Sequence, residues 1–190
     1  MGPPTWALLD SIVQWQARHY ALHPEIAVDV IRPPRALPVD VARSYLVEQV
    51  LKGDYTHLWF TDQDCAYTVD TLERLLQWEA PVVGALCMMR EATYCRPMVF
   101  KGRKEEGSEY YRIPVAEVYE YVKAHYDLTT NGPQVVDPVP EGSLFECDFT
   151  GCHCLLIQRR VLAAMEPPWF SGQPGQEDRY FCFKTAAIGY

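Results

Sequence analysis

With 190 residues, 25 acidic against 17 basic side chains and a formal net charge of -8 at pH 7, the chain suits one self-supporting domain that buries about 70% of its unfolded surface. The acids are spread rather than clustered, which argues against a surface built to neutralise nucleic-acid phosphates. No apolar run reaches the roughly 18 residues of a membrane span, and the opening residues lack the basic-then-apolar order of a signal peptide. Seven cysteines without regular spacing do not read as a secreted disulfide framework, so a cytoplasmic protein with mostly reduced, packed thiols is expected.

Taken in chain order, residues 6–20 carry Leu8, Leu9, Ile12 and Val13 at helical spacing, and residues 25–31 alternate Ile26, Val28 and Val30 as a strand would. A helix is predicted over 39–52, with Val39, Ala42, Leu46 and Val50 facing one way and Gly53 as its stop. A strand over 56–60 follows, then a helix over 69–79 with Thr68 as N-cap, then a strand over 81–87. This alternation of strand and helix predicts a mostly parallel, Rossmann-like sheet with flanking helices, its ligand site beyond the C-terminal ends of the strands.

From about 90 to 143 the pattern dissolves into aromatic segments, the charged run "KGRKEEGSE" and the Pro-rich "NGPQVVDPVPEG". This reads as an irregular insertion in a single domain spanning 1–190. Two strand-like runs, 144–150 and 152–158, flank Gly151, and a short helix starts at Arg159. The Pro- and Gly-rich "EPPWFSGQPGQ" is predicted to be a surface loop, and 177–188 a last helix closed by Gly189.

Asp62 and Asp64, in "HLWFTDQD", follow the 56–60 strand. Residues two apart in extended chain point to the same side, placing the carboxylates about 5–7 Å apart. Their repulsion at an effective dielectric near 20 is about 2–3 kcal/mol. A divalent cation removes it, and Mg²⁺ or Mn²⁺ takes one or two carboxylates plus the oxygens of a bound phosphate. The bland alternative is a turn in which each Asp bonds nearby backbone.

Glu177 and Asp178 open the last helix. There, acids meet the helix dipole favourably, or one of them serves as a general base for an attacking hydroxyl. Cys147, Cys152, His153 and Cys154 invite a zinc reading, yet two C-x-x-C knuckles are missing and strand geometry turns His153 away from Cys152 and Cys154. Packed thiols explain the cysteines better, and His153 stays as a candidate site residue and metal ligand.

Three segments in this order, "VARSYLVEQVLKGDYTHLWFTDQDCAYTVDTLERLLQWEAPVVGALCMMR", "FTGCHCLLIQRRVL" and "EDRYFCFKTAAIGY", together about half the chain, resemble the nucleotide-sugar glycosyltransferases of the GT-A fold, family-2-like and of the phage and bacterial type. The resemblance implies that Asp62 and Asp64 hold Mn²⁺ or Mg²⁺ and the diphosphate of a UDP- or GDP-sugar. It further implies that Arg43 contacts the donor and that Gly151 lets the backbone approach the sugar. Asp178 is then the base of an inverting displacement, with Glu177 orienting it or the acceptor, whose identity is open. The loop at Trp169 and Phe170 would fold over the donor and exclude water.

Family members open with an apolar strand that helps bind the nucleobase, whereas this sequence opens at "MGPPTW", where that strand would finish. Either the strand is missing, a later segment takes its place, or the base pocket is built differently. Two rival classes use the same residues: a non-catalytic sugar- or nucleotide-binding module of the same fold, and a metal-dependent nucleotidyltransferase.

Overall fold

The computed structural model describes residues 6–62, 65, 67–86, 88–90, 95–100, 144, 146–172 and 176–190. The chain divides into two compact units, one of residues 1–85 and 152–190 and a second of residues 86–151. The charged and Pro-rich runs of the 90–143 segment lie outside the described residues.

In the first unit, helix α1 (Trp6–Leu22) leads through an extended connection to α2 (Val39–Lys52), whose bounds match the sequence expectation. Strand β1 (His57–Thr61), helix α3 (Thr71–Leu76) and strand β2 (Val82–Gly84) follow. After the second unit come strand β7 (Cys154–Gln158) and helices α4 (Arg159–Ala164) and α5 (Glu177–Ala187).

The sheet order is β1-β7-β2, with β7 antiparallel to both neighbours. Strands β1 and β2 therefore run the same way, joined through α3 as an alternating pattern demands. They are not adjacent, however, because β7, far later in the chain, lies between them. The ladders described here are thus antiparallel, where the alternation of elements led us to expect parallel neighbours.

Strand β7 is apolar on both faces, with Cys154, Leu155, Leu156 and Ile157 all buried, as a strand covered on both sides should be. On one face Leu58, Phe60, Leu155 and Ile157 pack with Val47 and Val50 of α2, Val161 and Leu162 of α4, and Phe181 of α5. On the other, Trp15 of α1 meets Trp59 edge-on, ring centroids 5.3 Å apart.

Two expectations are corrected here. Residues 25–31 form no strand, although their alternation is real: the Ile26 carbonyl lies 3.0 Å from Nε2 of His19, and the Val28 carbonyl accepts from the Tyr20 hydroxyl at 3.3 Å. Side chains of α1 thus occupy acceptors that a neighbouring strand would otherwise use. Helix α3 starts at Thr71, with Asp70 at the N-cap position; Thr68 contributes its carbonyl to the Thr71 N–H.

The C-terminus of α2 is held by Arg159, at the start of α4. Its guanidinium donates to the carbonyls of Val50 (3.0 Å), Leu51 (2.8 Å) and Gly53 (2.5 Å). A cation is favoured at that end of a helix dipole. At Gly53 the backbone is extended, and an added Cβ would lie 2.5 Å from the Tyr55 ring, which a larger residue would have to displace. Arg159→Ala should therefore lower the unfolding free energy by about 2 kcal/mol through the loss of charge-assisted bonds to carbonyls. Urea denaturation of variant and parent checks this.

In the second unit, β3 (Met88–Arg90) pairs antiparallel with β4 (Cys95–Pro97), and β5 (Val99–Phe100) with β6 (Phe149–Thr150). Phe100 and Phe149 stack at 5.0 Å. No described helix is long and apolar enough to cross a membrane.

Candidate active site

Four of the residues singled out from sequence, Arg43, Asp62, Glu177 and Asp178, come together. Asp62 directly follows β1, where its N–H prolongs the ladder by donating to the His153 carbonyl at 3.1 Å. The Tyr67 hydroxyl fastens the same turn: it accepts from the Asp62 N–H at 2.9 Å and donates to the His153 carbonyl at 2.5 Å. Burial pushes the Tyr67 phenol well above the ordinary tyrosine range, so it stays a donor at every working pH. The Asp62 side chain remains 40% exposed, leaving its oxygens within reach of a ligand.

Arg43 enters from α2. The expected inner face of that helix was Val39, Ala42, Leu46 and Val50, but the buried residues are Ala42, Arg43, Val47 and Val50. The helix is rotated so that an arginine faces inward. Its guanidinium lies 5.9 Å from the ring centroids of both Phe60 and Phe170, a pairing that suits its flat, weakly hydrated cation. Nη1 donates to Glu177 Oε1 at 3.1 Å and to Asp178 Oδ1, while Nη2 stands 3.6 Å from Asp62 Oδ1.

Glu177 and Asp178 occupy the first turn of α5, where carboxylates meet the positive end of the dipole. Asp178 uses both oxygens, since Oδ2 accepts from the Cys152 N–H at 3.1 Å. Glu177 uses one, and its Oε2 is buried without a hydrogen-bond partner among the described residues. Arg43, Glu177 and Asp178 are 6%, 5% and 7% exposed. One guanidinium thus serves two buried carboxylates and stands near a third.

The remaining predicted residues distribute as follows. Asp64 lies outside the described residues. Gly151 is buried and belongs to the second unit. His153 is half-buried, and its carbonyl is what meets the Asp62 turn. Cys152 and Cys154 are fully buried; burial pushes the Cys152 thiol well up and the Cys154 thiol to about 11, which fits the packed-thiol reading. Among the described residues no group of three or more His, Cys, Asp or Glu is placed to hold a metal ion.

The predicted loop at Trp169 and Phe170 is core rather than cover. Both rings are buried, Trp169 Nε1 donates to the Leu162 carbonyl at 3.0 Å, and Phe170 stacks on Phe181 with centroids 4.8 Å apart. Sequence reasoning missed Tyr67 and the Phe60–Phe170 pair. A tyrosine five residues after Asp62, with a polar tip on an apolar ring, was the available signal for the first.

A three-stranded antiparallel sheet with helices on both faces, and a buried arginine–carboxylate centre beyond the end of β1, characterise the first unit. No protein-family model matches the chain, and no curated protein sequence matches it. In three dimensions it is similar to the crystal structure of A197 from STIV, a viral protein, with a TM-score of 0.55 and 19% identity over 98% of this chain and 74% of that one. At that identity the likeness is one of fold.

Proposed function

We propose that the chain is a metal-dependent glycosyltransferase of GT-A type, which moves a sugar from a nucleoside-diphosphate sugar to an acceptor hydroxyl with inversion. The observation that carries this reading is the convergence of Arg43, Asp62, Glu177 and Asp178. They come from α2, the end of β1 and the start of α5, and the resemblance had assigned them jointly to donor and acceptor chemistry.

The residues present fit a hard divalent cation. Asp62 offers exposed carboxylate oxygens at a strand end, and Asp64, two residues on in the sequence, would supply a second carboxylate. One or two carboxylates with phosphate oxygens is the donor set that Mg²⁺ or Mn²⁺ takes. When bound, the cation supplies Lewis-acid stabilisation of the charge that develops on the departing diphosphate.

The protein's own part is positional and acid–base. The Tyr67 staple fixes the Asp62 turn, Arg43 lies between that turn and α5, and the Glu177–Asp178 pair supplies the base that deprotonates the acceptor. Arg43 is too buried and too fully engaged to be a freely reaching donor ligand, so its work is to position the carboxylates. A cytoplasmic setting agrees with the buried thiols Cys152 and Cys154.

Asp62→Ala should weaken Mn²⁺-dependent binding of the nucleotide sugar at least about tenfold, one tenfold step being about 1.4 kcal/mol. Its melting temperature should stay near that of the parent, because the side chain is exposed and stands beyond hydrogen-bonding distance from Arg43. Calorimetric titration of UDP- and GDP-sugars with Mn²⁺ into both proteins decides this, and parent-like binding by the variant removes Asp62 from the donor site.

A further inference from the structure

We infer that Trp59 is a positioning residue of the metal site, acting through the Tyr67 hydroxyl, and that α1 takes part by supporting Trp59 with Trp15; this rests on the glycosyltransferase reading. Alternation along β1 divides its side chains between two faces. Leu58 and Phe60 enter the main apolar cluster with α2, α4 and α5, whereas Trp59 lies outside that cluster and meets α1. Two rings meet it edge-on: Trp15 at 5.3 Å and Tyr67 at 6.0 Å, each with an interplanar angle of 67°. This is an arrangement that aromatic quadrupoles favour. Trp15 is itself buried and stacks on the fully buried His19 at 5.1 Å. A connected set of rings thus runs from α1 to Tyr67.

What Tyr67 does at the other end depends on where its ring stands. Its hydroxyl meets backbone groups at the ends of two strands: the Asp62 N–H at 2.9 Å, the His153 carbonyl at 2.5 Å and the Asp62 carbonyl at 3.3 Å. A phenol has one proton to give and lone pairs to receive with, so it accepts from Asp62 and donates to His153 together only from one place. The Trp59 ring is a wall that keeps Tyr67 in that place.

The Asp62 carboxylate has a weaker anchor of its own, being 40% exposed and 3.6 Å from the Arg43 guanidinium. Its direction therefore follows from the backbone that Tyr67 fixes. A metal ligand works only when the groups behind it hold it close to the productive geometry, and those outer partners set affinity nearly as strongly as the ligands do. A loosened Tyr67 should thus be felt first as weaker metal binding, while the carboxylates that act on the acceptor, on α5, stay as they are.

The test compares the parent with Trp59→Leu, Trp59→Phe, Tyr67→Phe and the double variant Trp59→Leu/Tyr67→Phe, at temperatures where each is folded. Calorimetry gives the Mn²⁺ affinity in the presence of UDP or GDP, and release of nucleoside diphosphate from UDP- and GDP-sugars gives turnover across Mn²⁺ concentration. Tyr67→Phe should lose at least about tenfold in Mn²⁺ affinity, the usual cost of removing an outer partner of a metal ligand. Trp59→Leu should lose about three- to tenfold, the worth of an edge-to-face ring pair, and saturating Mn²⁺ should restore its turnover. Trp59→Phe keeps a flat ring against Tyr67 and should bind Mn²⁺ within about twofold of the parent. Because Trp59 acts through Tyr67, the double variant should bind within about twofold of Tyr67→Phe alone.

A folded Trp59→Leu variant with the parent's Mn²⁺ affinity overturns the assignment, because a residue that served stability alone would lower the melting temperature and leave that affinity unmoved. Losses that multiply in the double variant, or a turnover defect that saturating Mn²⁺ leaves in place, overturn it too. Should Trp59→Leu not fold, Trp15→Leu removes the support and leaves Trp59 in place; it should show the same loss and the same rescue by Mn²⁺, and parent-like affinity there overturns the assignment equally. A parent that binds no Mn²⁺ with either UDP or GDP defeats the glycosyltransferase reading and this assignment with it, a result distinct from a parent that binds Mn²⁺ no better than its Trp59→Leu variant.

Discussion

Arg43→Ala should cost about 3–5 kcal/mol of stability, the usual consequence of removing one partner from a buried ion pair and leaving the other charged and unpaired. Here two buried carboxylates lose their counter-ion at once. The side chain also packs beside the Phe60–Phe170 pair, so packing is lost together with charge. For a chain of this length each kcal/mol corresponds to about 2–4 °C in melting temperature. Arg43→Lys should recover only part of the loss, because an ammonium cannot reach Asp62 and α5 with separate nitrogens. Chemical denaturation of the three proteins checks both statements, and an Arg43→Ala variant as stable as the parent would show that the cluster is not held by this residue.

Phe181→Ala carries an effect of similar size for a different reason. The ring is fully buried and stacks on Phe170 at 4.8 Å with a 10° interplanar angle, and Phe170 in turn meets Phe60 edge-on at 5.5 Å. Deleting a phenyl ring from such a core costs about 3–5 kcal/mol, part of it from the cavity left behind. Because Phe60 and Phe170 also pack beside the Arg43 guanidinium, loss of Phe181 should loosen the site as well as the core. Denaturant unfolding gives the stability, and a fall in nucleotide-sugar affinity at temperatures where the variant is fully folded would report the second effect.

The legible parts of the sequence were those that depend on neighbours in the chain. Helix α2 ran over the expected residues, and β1 and α5 were each placed within a residue of their ends. Gly189, predicted to close the last helix, has a φ of 88°, the left-handed region that glycine adopts without strain. The acids of the site stood out because carboxylates beside apolar runs need partners.

What escaped depended on residues far apart. The inner face of α2 could not be read from its own periodicity, since Arg43 is turned inward by carboxylates 134 and 135 positions later. The order β1-β7-β2 was hidden for the same reason, because nothing local announces that a late strand will insert between two early ones. The Trp169–Phe170 segment was read by its prolines and glycines as surface, when its two large apolar rings were the better guide to burial. Residues 25–31 carried a true two-residue alternation, yet a strand needs a partner, and α1 side chains accepted that role.

The central claim is that the charged centre beyond β1 serves sugar transfer from a nucleoside diphosphate. The most direct test incubates the protein with Mn²⁺ and either a panel of UDP- and GDP-sugars or the nucleoside triphosphates alone with sugar phosphates, and identifies the phosphate product. Release of nucleoside diphosphate from a nucleotide sugar, lost in Asp62→Ala, is the predicted result. Release of pyrophosphate from a triphosphate, or metal-dependent donor binding with no turnover, would contradict it.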